Sequence, residues 1–213
     1  EHNLTIFHLM GQHVNYKLRY RKEQAKFWAS SYEEKRPELT TAQRKMLSHY
    51  DNATLYNDSI VAQIVKRFQK EDAVVIYVPD HGEECYEEDR GFICRNHSAN
   101  IDWPLAHYEF EIPFWIYCSP KYIRNHRDIY RQIRKAKDKR FMTDALPHLL
   151  LYLAGIETPT YKEEYNILSP KYNEMRPRIL KNSADYDQLR DEHLEKVEKE
   201  KSKKEKSKKG DKK

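Results

Sequence analysis

A continuous apolar run at residues 73–78, which reads AVVIYV, is followed at once by Pro79. A run this short and this rich in β-branched residues is typical of a strand buried on both faces of a parallel sheet. Proline ends such a strand because it has no amide hydrogen for the ladder. A second run of this kind, IPFWIYC, lies at residues 112–118. The two runs predict a sheet that is covered by helices.

Other segments supply a further strand and the helices. Residues 3–9, NLTIFHL, predict another buried strand, and helical spacing of apolar residues predicts helices over 38–70, 123–137 and 143–155. Strands that alternate with helices indicate an α/β fold, a sandwich of helices around a mostly parallel sheet. Because the chain opens directly on a strand-like segment, we expect this sheet to be incomplete at the N-terminus.

Charge divides the chain into two parts. The net charge is +5, and residues 190–213 account for +4 of it, with 11 Lys and Arg against 7 Asp and Glu. We therefore predict one domain over residues 1–180 and a charged, disordered tail over 181–213. A domain this close to neutral does not suggest a nucleic-acid partner. The sequence also has no apolar run long enough to cross a membrane.

Three cysteines do not make a disulfide framework. Cys85 and Cys94 lie in a long irregular segment, residues 84–107, and could pair in an oxidising compartment. Cys118 ends an apolar run, so we expect a buried thiol there. Long loops in compact domains often carry function, which directs attention to the polar residues around this one.

The polar tetrapeptide that follows the first apolar run is Asp80-His81-Gly82-Glu83. In α/β sheets ligands bind beyond the carboxyl ends of the strands. A carboxylate and an imidazole at such an end can both face one cation, and zinc accepts oxygen and nitrogen ligands. Gly82 allows a tight turn or a close backbone approach. The tetrapeptide therefore predicts a metal site, although a hydrogen-bonded loop would use the same residues.

Further polar motifs occur on both sides of this tetrapeptide. H-x-M-G-x-H contains His8 and His13, and a later segment contains His97. A helical stretch at 50–58 reads YDNATLYND, where hydrogen bonds to loops are a simpler role for the acids than metal binding. The order of H-x-M-G-x-H, YDN, a buried strand, DHGE, a downstream histidine and IPFW resembles the phosphoethanolamine transferases of the alkaline phosphatase/sulfatase superfamily, over roughly residues 3–160.

The resemblance implies a role for each matching residue. Asp80 and His81 correspond to two zinc ligands, with an accessory second zinc possible. His13 and His97 correspond to histidines that bind the transferred phosphoryl group and assist catalysis. His8 corresponds to the first histidine of its motif and is assigned to substrate binding. Glu83 is expected to support the loop.

The resemblance also implies a reaction. Phosphoethanolamine passes from phosphatidylethanolamine to lipid A or a related glycolipid through a phosphothreonine. The family's threonine nucleophile, a glutamate zinc ligand and N-terminal membrane helices lie upstream of the matched region, and Thr54 and Thr143 match no nucleophile motif. We therefore expect an inactive fragment of an enzyme of the bacterial inner membrane, with its catalytic domain in the periplasm.

Some positions depart from the family pattern, and two alternatives remain. His97 is followed by Ser98-Ala99 where the family usually has Gly-Pro, and Tyr20 is followed by Arg21 where proline is usual. One alternative is a sulfatase or phosphoglycerol transferase of the same superfamily. The other is a non-catalytic domain that binds an anionic membrane surface through its basic tail.

Overall fold

The computed structural model describes residues 3–96 and 100–210 of the chain. The helices of this part are α1 (Thr41–Phe68), α2 (Trp103–Leu105), α3 (Pro120–Asn125), α4 (Arg127–Ala136), α5 (Leu146–Ala154) and α6 (Tyr186–Gly210). The strands are β1 (Val74–Tyr77), β2 (Glu84–Cys85), β3 (Ile93–Cys94), β4 (Trp115–Cys118), β5 (Ile179–Leu180) and β6 (Ala184–Asp185). α2 continues into a π-helical turn, Ala106–Phe110.

The helices predicted over residues 38–70 and 143–155 are confirmed as α1 and α5. α1 begins at a capping box, in which the Gln43 amide donates to the Thr40 hydroxyl and Gln43 Oε1 accepts the Thr40 amide at 2.8 Å. α5 ends at Gly155, whose φ of +65° closes the helix in the left-handed conformation. The helix expected over 123–137 forms as α3 and α4, with His126 between them.

The strands at the two apolar runs are also confirmed, but they run antiparallel. Val74 pairs with Cys118 and Tyr77 with Trp115, and the rings of Tyr77 and Trp115 stack at 5.2 Å. The other strand pairs of the described residues, β2–β3 and β5–β6, are antiparallel too. The expectation of a parallel relation between β1 and β4 is therefore wrong. Apolar composition indicates that a strand is buried. The direction of that strand relative to its neighbour depends on the path of the chain that connects them.

The buried strand predicted for residues 3–9 is wrong. The segment has no strand pairing, and its apolar side chains are exposed, with Leu4 at 71% and Ile6 at 79%. A strand is stable only when a neighbour satisfies its backbone groups, and no described strand lies against this segment. One local contact is the edge-to-face pair of Phe7 and Phe68.

In the long segment at residues 84–107, the described residues, 84–96 and 100–107, contain more regular structure than the sequence suggests. β2 and β3 form a hairpin in which Cys85 faces Ile93, and α2 follows. Cys85 and Cys94 are free thiols, so the pairing considered for them is absent from the structure. Cys118 is a buried thiol, as predicted.

The main core lies between the β1–β4 pair and helices α4 and α5. Leu149 is fully buried there with Ile167 and Leu168, and Ile76 and Ile116 of the two strands pack against them. Burial of apolar side chains of this size is the principal stabilising contribution to such a core. The β1–β4 pair therefore packs against helices on one face. β1 leads directly into the polar tetrapeptide Asp80-His81-Gly82-Glu83.

The charged tail contains a long helix, and the disorder expected for it stays a prediction. α6 extends through the Lys- and Glu-rich segment, and Tyr186 and Leu189 at its start pack with Leu180 and Ala106. Pairs such as Glu195 and Lys199, one turn apart at 3.1 Å, favour helix over coil. The division of the chain at residue 180 stays a prediction. No helix within the described ranges has the length and apolar character needed to span a bilayer.

Candidate metal site

Asp80 and His81 lie just beyond the end of β1, as the sequence predicts for a ligand-binding edge. Their side chains approach each other, with His81 Nε2 at 3.8 Å from Asp80 Oδ2. The Asp80 side chain is 90% exposed, whereas that of His81 is 24% exposed. A half-buried imidazole beside an exposed carboxylate suits a site that a cation reaches from solvent.

The orientation of the His81 ring follows from a backbone contact. Nδ1 lies 2.6 Å from the carbonyl oxygen of Gly82. Because a carbonyl only accepts, Nδ1 donates in this contact, and in the neutral imidazole the lone pair is then on Nε2. Metal-binding histidines typically use one ring nitrogen in this way to fix the other as ligand.

Gly82 fits against the backbone of the π-helical turn. Its amide donates to the Glu109 carbonyl oxygen at 2.8 Å, and a Cβ at this position would lie 2.3 Å from the carbonyl oxygen of Tyr108. No side chain fits in that space. The close approach predicted for this glycine is therefore confirmed, and it places the loop that carries His81.

Glu83 connects the metal-site loop to the segment that follows the H-x-M-G-x-H motif. Its carboxylate accepts a hydrogen bond from the Tyr16 hydroxyl at 2.8 Å across 67 residues of sequence. Tyr16 is buried and packs edge-to-face on Tyr50 at 5.3 Å. Burial raises the pKa of the Tyr16 hydroxyl, and the Glu83 charge raises it further, so the phenol remains a donor. The supporting role expected for Glu83 agrees with this geometry.

His13 lies near the same carboxylate. Burial raises the pKa of Glu83, while the Tyr16 hydrogen bond and then the charges of His81 and His13 act to lower it. His13 is exposed, and its amide closes a turn on Met10 O at 3.1 Å. The structure thus brings both His13 and His81 close enough to Glu83 for their charges to act on its carboxylate.

The other two predicted histidines are not part of this cluster. His8 is exposed in the unpaired segment at residues 3–9. His97 lies outside the described residues. The roles proposed for both therefore stay predictions.

The YDN motif on α1 holds loops, as expected. Asn52 accepts the amides of Lys26 and Phe27 at 2.6 and 3.1 Å, and Asp51 accepts the Tyr32 hydroxyl. Thr54, further along the same helix, donates its hydroxyl to the Tyr50 carbonyl at 3.0 Å. None of these groups is directed at Asp80.

Two buried glutamates were missed from the sequence. Glu84 is fully buried in a two-point ion pair with Arg90, at 2.6 and 3.1 Å. Glu109, also buried, accepts the amide of Asn96, and burial raises the pKa of its carboxyl. A signal was available for Glu109, because it lies between Tyr108 and Phe110 in a segment, 108–116, that is apolar or aromatic apart from Glu109 and Glu111.

The donors present fit part of a zinc shell. Asp80 offers oxygen and His81 a fixed Nε2, and adjacent ligands of a tetrahedral zinc ion are separated by roughly 3.3 Å, close to the observed 3.8 Å. In the described ranges 3–96 and 100–210, no group of three or more His, Cys, Asp or Glu side chains is arranged to hold a metal. These residues therefore supply two donors, and a complete shell needs others.

Comparison with known proteins defines the family. The sulfatase family profile matches residues 1–156, and the chain belongs to that family. It is 33% identical over 194 residues to phosphoethanolamine transferase EptC of Escherichia coli O18:K1:H7. This match covers 87% of this chain and 32% of that protein. It is also 30% identical to the Kdo(2)-lipid A phosphoethanolamine 7''-transferase of Escherichia coli K12. That match covers 65% of this chain and 23% of the relative.

A solved structure has the same fold. The C-terminal periplasmic domain of EptC from Escherichia coli, in complex with Zn, superposes with a TM-score of 0.67 and 28% identity. The match covers 84% of this chain and 50% of that one. The predicted sulfatase-like α/β fold is thus confirmed. The chain spans about a third of the length of the curated relatives it matches.

Proposed function

We propose that this chain forms the metal-binding part of a phosphoethanolamine transferase, in which Asp80 and His81 ligate zinc. The names of the relatives and the zinc complex of the EptC domain support the proposal. The observation that carries it is the fixed His81 ring, whose protonated Nδ1 faces Gly82 O and whose Nε2 faces Asp80. A histidine that served only to hold the loop would not need a carboxylate on its second nitrogen.

The other polar residues of the site take supporting and substrate roles. Glu83 and Tyr16 hold the histidine segment against the metal loop through their 2.8 Å hydrogen bond. His13 is placed beside them to bind a non-bridging phosphoryl oxygen or to protonate a leaving group. His8 and His97 are proposed as further phosphoryl-binding histidines.

The proposed reaction is a double displacement. A threonine oxygen attacks phosphorus of phosphatidylethanolamine, the bond to the diacylglycerol oxygen breaks, and that oxygen takes up a proton. An oxygen of lipid A or a related glycolipid then attacks the phosphothreonine and releases the threonine. Asp80 and His81 would hold the zinc ion, with an accessory second ion as a further part of the proposal, and the metal would supply charge that lowers the pKa of a coordinated hydroxyl. Thr54 cannot be the nucleophile, because its hydroxyl is bound within α1.

The proposed location follows from the relatives. An enzyme with these lipid substrates works at the bacterial inner membrane, with the catalytic domain in the periplasm and membrane helices outside the matched region. Because the chain spans 32% of the EptC relative, the donor, the acceptor and the inactivity of this chain by itself are all part of the proposal.

Zinc binding tests the metal site directly. Two donors make a weak site, so titration of this chain with zinc should give a dissociation constant in the micromolar range or above. Asp80→Ala and His81→Ala should each weaken it further, while Asp138→Ala and His148→Ala, matched changes away from β1, should not. Nanomolar binding by this chain, or equal binding by all four variants, would contradict the assignment.

Turnover tests the reaction. The complete natural protein is incubated with fluorescent phosphatidylethanolamine and zinc, and mass spectrometry is used to find a phosphoethanolamine adduct on threonine. The adduct should be absent in Asp80→Ala and His81→Ala and present in Asp138→Ala. Membership of the sulfatase family keeps one alternative open. Release of sulfate from an aryl sulfate, with no adduct, would favour a sulfatase.

A further inference from the structure

A high concentration of positive charge lies on α3 and α4, within the folded part of the chain. Residues 121–137 contain seven Lys and Arg and one Asp, a net charge of +6 in a chain whose total is +5. The rest of the chain therefore carries −1. The near-neutral average of the domain conceals this local excess of positive charge, which the sequence already shows as a basic amphipathic helix over residues 123–137.

Packing directs this charge to solvent. Ile129 and Ile133 of α4 face the main core, so the opposite side of the helix is left outward. That side forms an open depression of about 530 Å³. We define the basic surface as its five exposed cationic residues, Arg124, Arg127, Arg131, Arg134 and Lys135. Tyr130 and Ile123, both half-buried, lie between them.

Little on the protein neutralises the basic surface. Arg131 pairs with Asp128 at 2.8 Å, and both side chains are largely exposed, at 70% and 88%. An exposed pair of this kind is weak and easily exchanged. The nearby Asp72 is engaged with His126 and Asn125 instead. Across the described residues, the remaining four cations of the surface have no acidic partner.

The shape of the basic surface indicates an extended partner. Arg127 to Lys135 extends about 12 Å along the helix axis, and Arg124 adds to that length. All five side chains are exposed, so they do not converge on one phosphate in a pocket. A planar array of negative charges matches this arrangement, and half-buried Tyr and Ile side chains are suited to the headgroup region. Each basic residue near an anionic bilayer increases binding by about fivefold.

We propose that the basic surface docks the domain on the anionic phospholipid surface of a bilayer. The contact holds the domain at the membrane independently of the metal site. Ser119, which caps α3, donates its amide to the carbonyl oxygen of Ala73 just before β1, whereas Asp80 follows the other end of that strand. The proposal goes beyond the proposed transfer reaction and does not depend on it. It also assigns membrane contact to α3 and α4, rather than to the tail.

Vesicle sedimentation tests the proposal on this chain. Binding to vesicles of phosphatidylcholine and phosphatidylglycerol is measured at low and high salt, and vesicles of pure phosphatidylcholine serve as the reference. The chain should bind the anionic vesicles, and high salt should release it because exposed charges are screened beyond about 10 Å at 0.1 M. The triple variant R127Q/R131Q/R134Q should bind about 100-fold more weakly.

The matched control removes three lysines of α6, as K199Q/K201Q/K203Q, and should change binding less than about threefold. Circular dichroism establishes that both variants are folded. D80A/H81A should bind vesicles like the unmodified chain, which separates this proposal from the transfer reaction. Equal loss in both triple variants, loss in the α6 variant only, salt-independent binding, no binding, or competition by millimolar inorganic phosphate would overturn it.

Discussion

Gly82→Ala should displace the loop that carries His81. The new methyl carbon would lie 2.3 Å from Tyr108 O and 3.2 Å from the Tyr108 carbonyl carbon. The first distance is roughly 1 Å inside ordinary contact. Tyr108 O belongs to backbone, so it cannot rotate away, and the loop must move instead.

The energetic cost has two parts. Overpacking of this kind costs about 1–3 kcal/mol. Separation of the Gly82 amide from Glu109 O, now 2.8 Å apart, removes a hydrogen bond that contributes about 1 kcal/mol. The sum is about 3 kcal/mol, which lowers Tm by roughly 6–12 °C for a chain of this size. Since Gly82 O also fixes the His81 ring, zinc affinity should fall by about tenfold or more.

Gly155→Ala is the matched control. This glycine has a φ of +65° and open space around its Cβ position, so alanine there costs about 1 kcal/mol through backbone strain only. Differential scanning calorimetry and zinc titration are carried out on both variants. A Gly82→Ala protein with the Tm and zinc affinity of the unmodified chain would refute the argument that the loop is held by backbone contact.

Two further predictions concern an ion pair and a thiol. The Arg178 guanidinium, 2.6 Å from Asp187, holds the pKa of that carboxyl below its ordinary value, so its stabilisation is present above about pH 4 and is lost as pH falls through the depressed pKa. Asp187→Asn should lower the free energy of unfolding by about 2 kcal/mol at neutral pH and by less in acid, and urea denaturation showing an equal loss at both pH values would contradict this. Burial raises the pKa of the Cys118 thiol to about 11, leaving about one thiolate in a thousand at pH 8. Iodoacetamide should therefore modify Cys94, which is half-buried, before Cys118, and peptide mass spectrometry showing the reverse order would refute the burial argument.

Local patterns in the sequence were sufficient for the elements whose causes are themselves local. Thr40 and Gln43 are three residues apart, so the start of α1 can be read from the chain. The apolar runs identified β1 and β4, and Asp80 and His81 directly follow the first of them. The same motifs carried the resemblance that the family comparison confirms.

Segments that need a partner were the ones that sequence reading misjudged. Residues 3–9 have the composition of a buried strand, but no described strand pairs with them. The direction of β4 relative to β1 is likewise set by the chain between them, not by either strand. The first turn of α6 also depends on tertiary contact, because Tyr186 packs there in a small core.

The sequence by itself thus identified Asp80, His81 and His13 as the candidate site residues, since all three stand in recognisable motifs. Tertiary structure decided how they are held. Tyr16 meets Glu83 across 67 positions, and Gly82 fits against Tyr108 through backbone atoms that no side-chain pattern records. It also decided that the positive charge of α4 faces solvent, because that depends on which side of the helix the core covers.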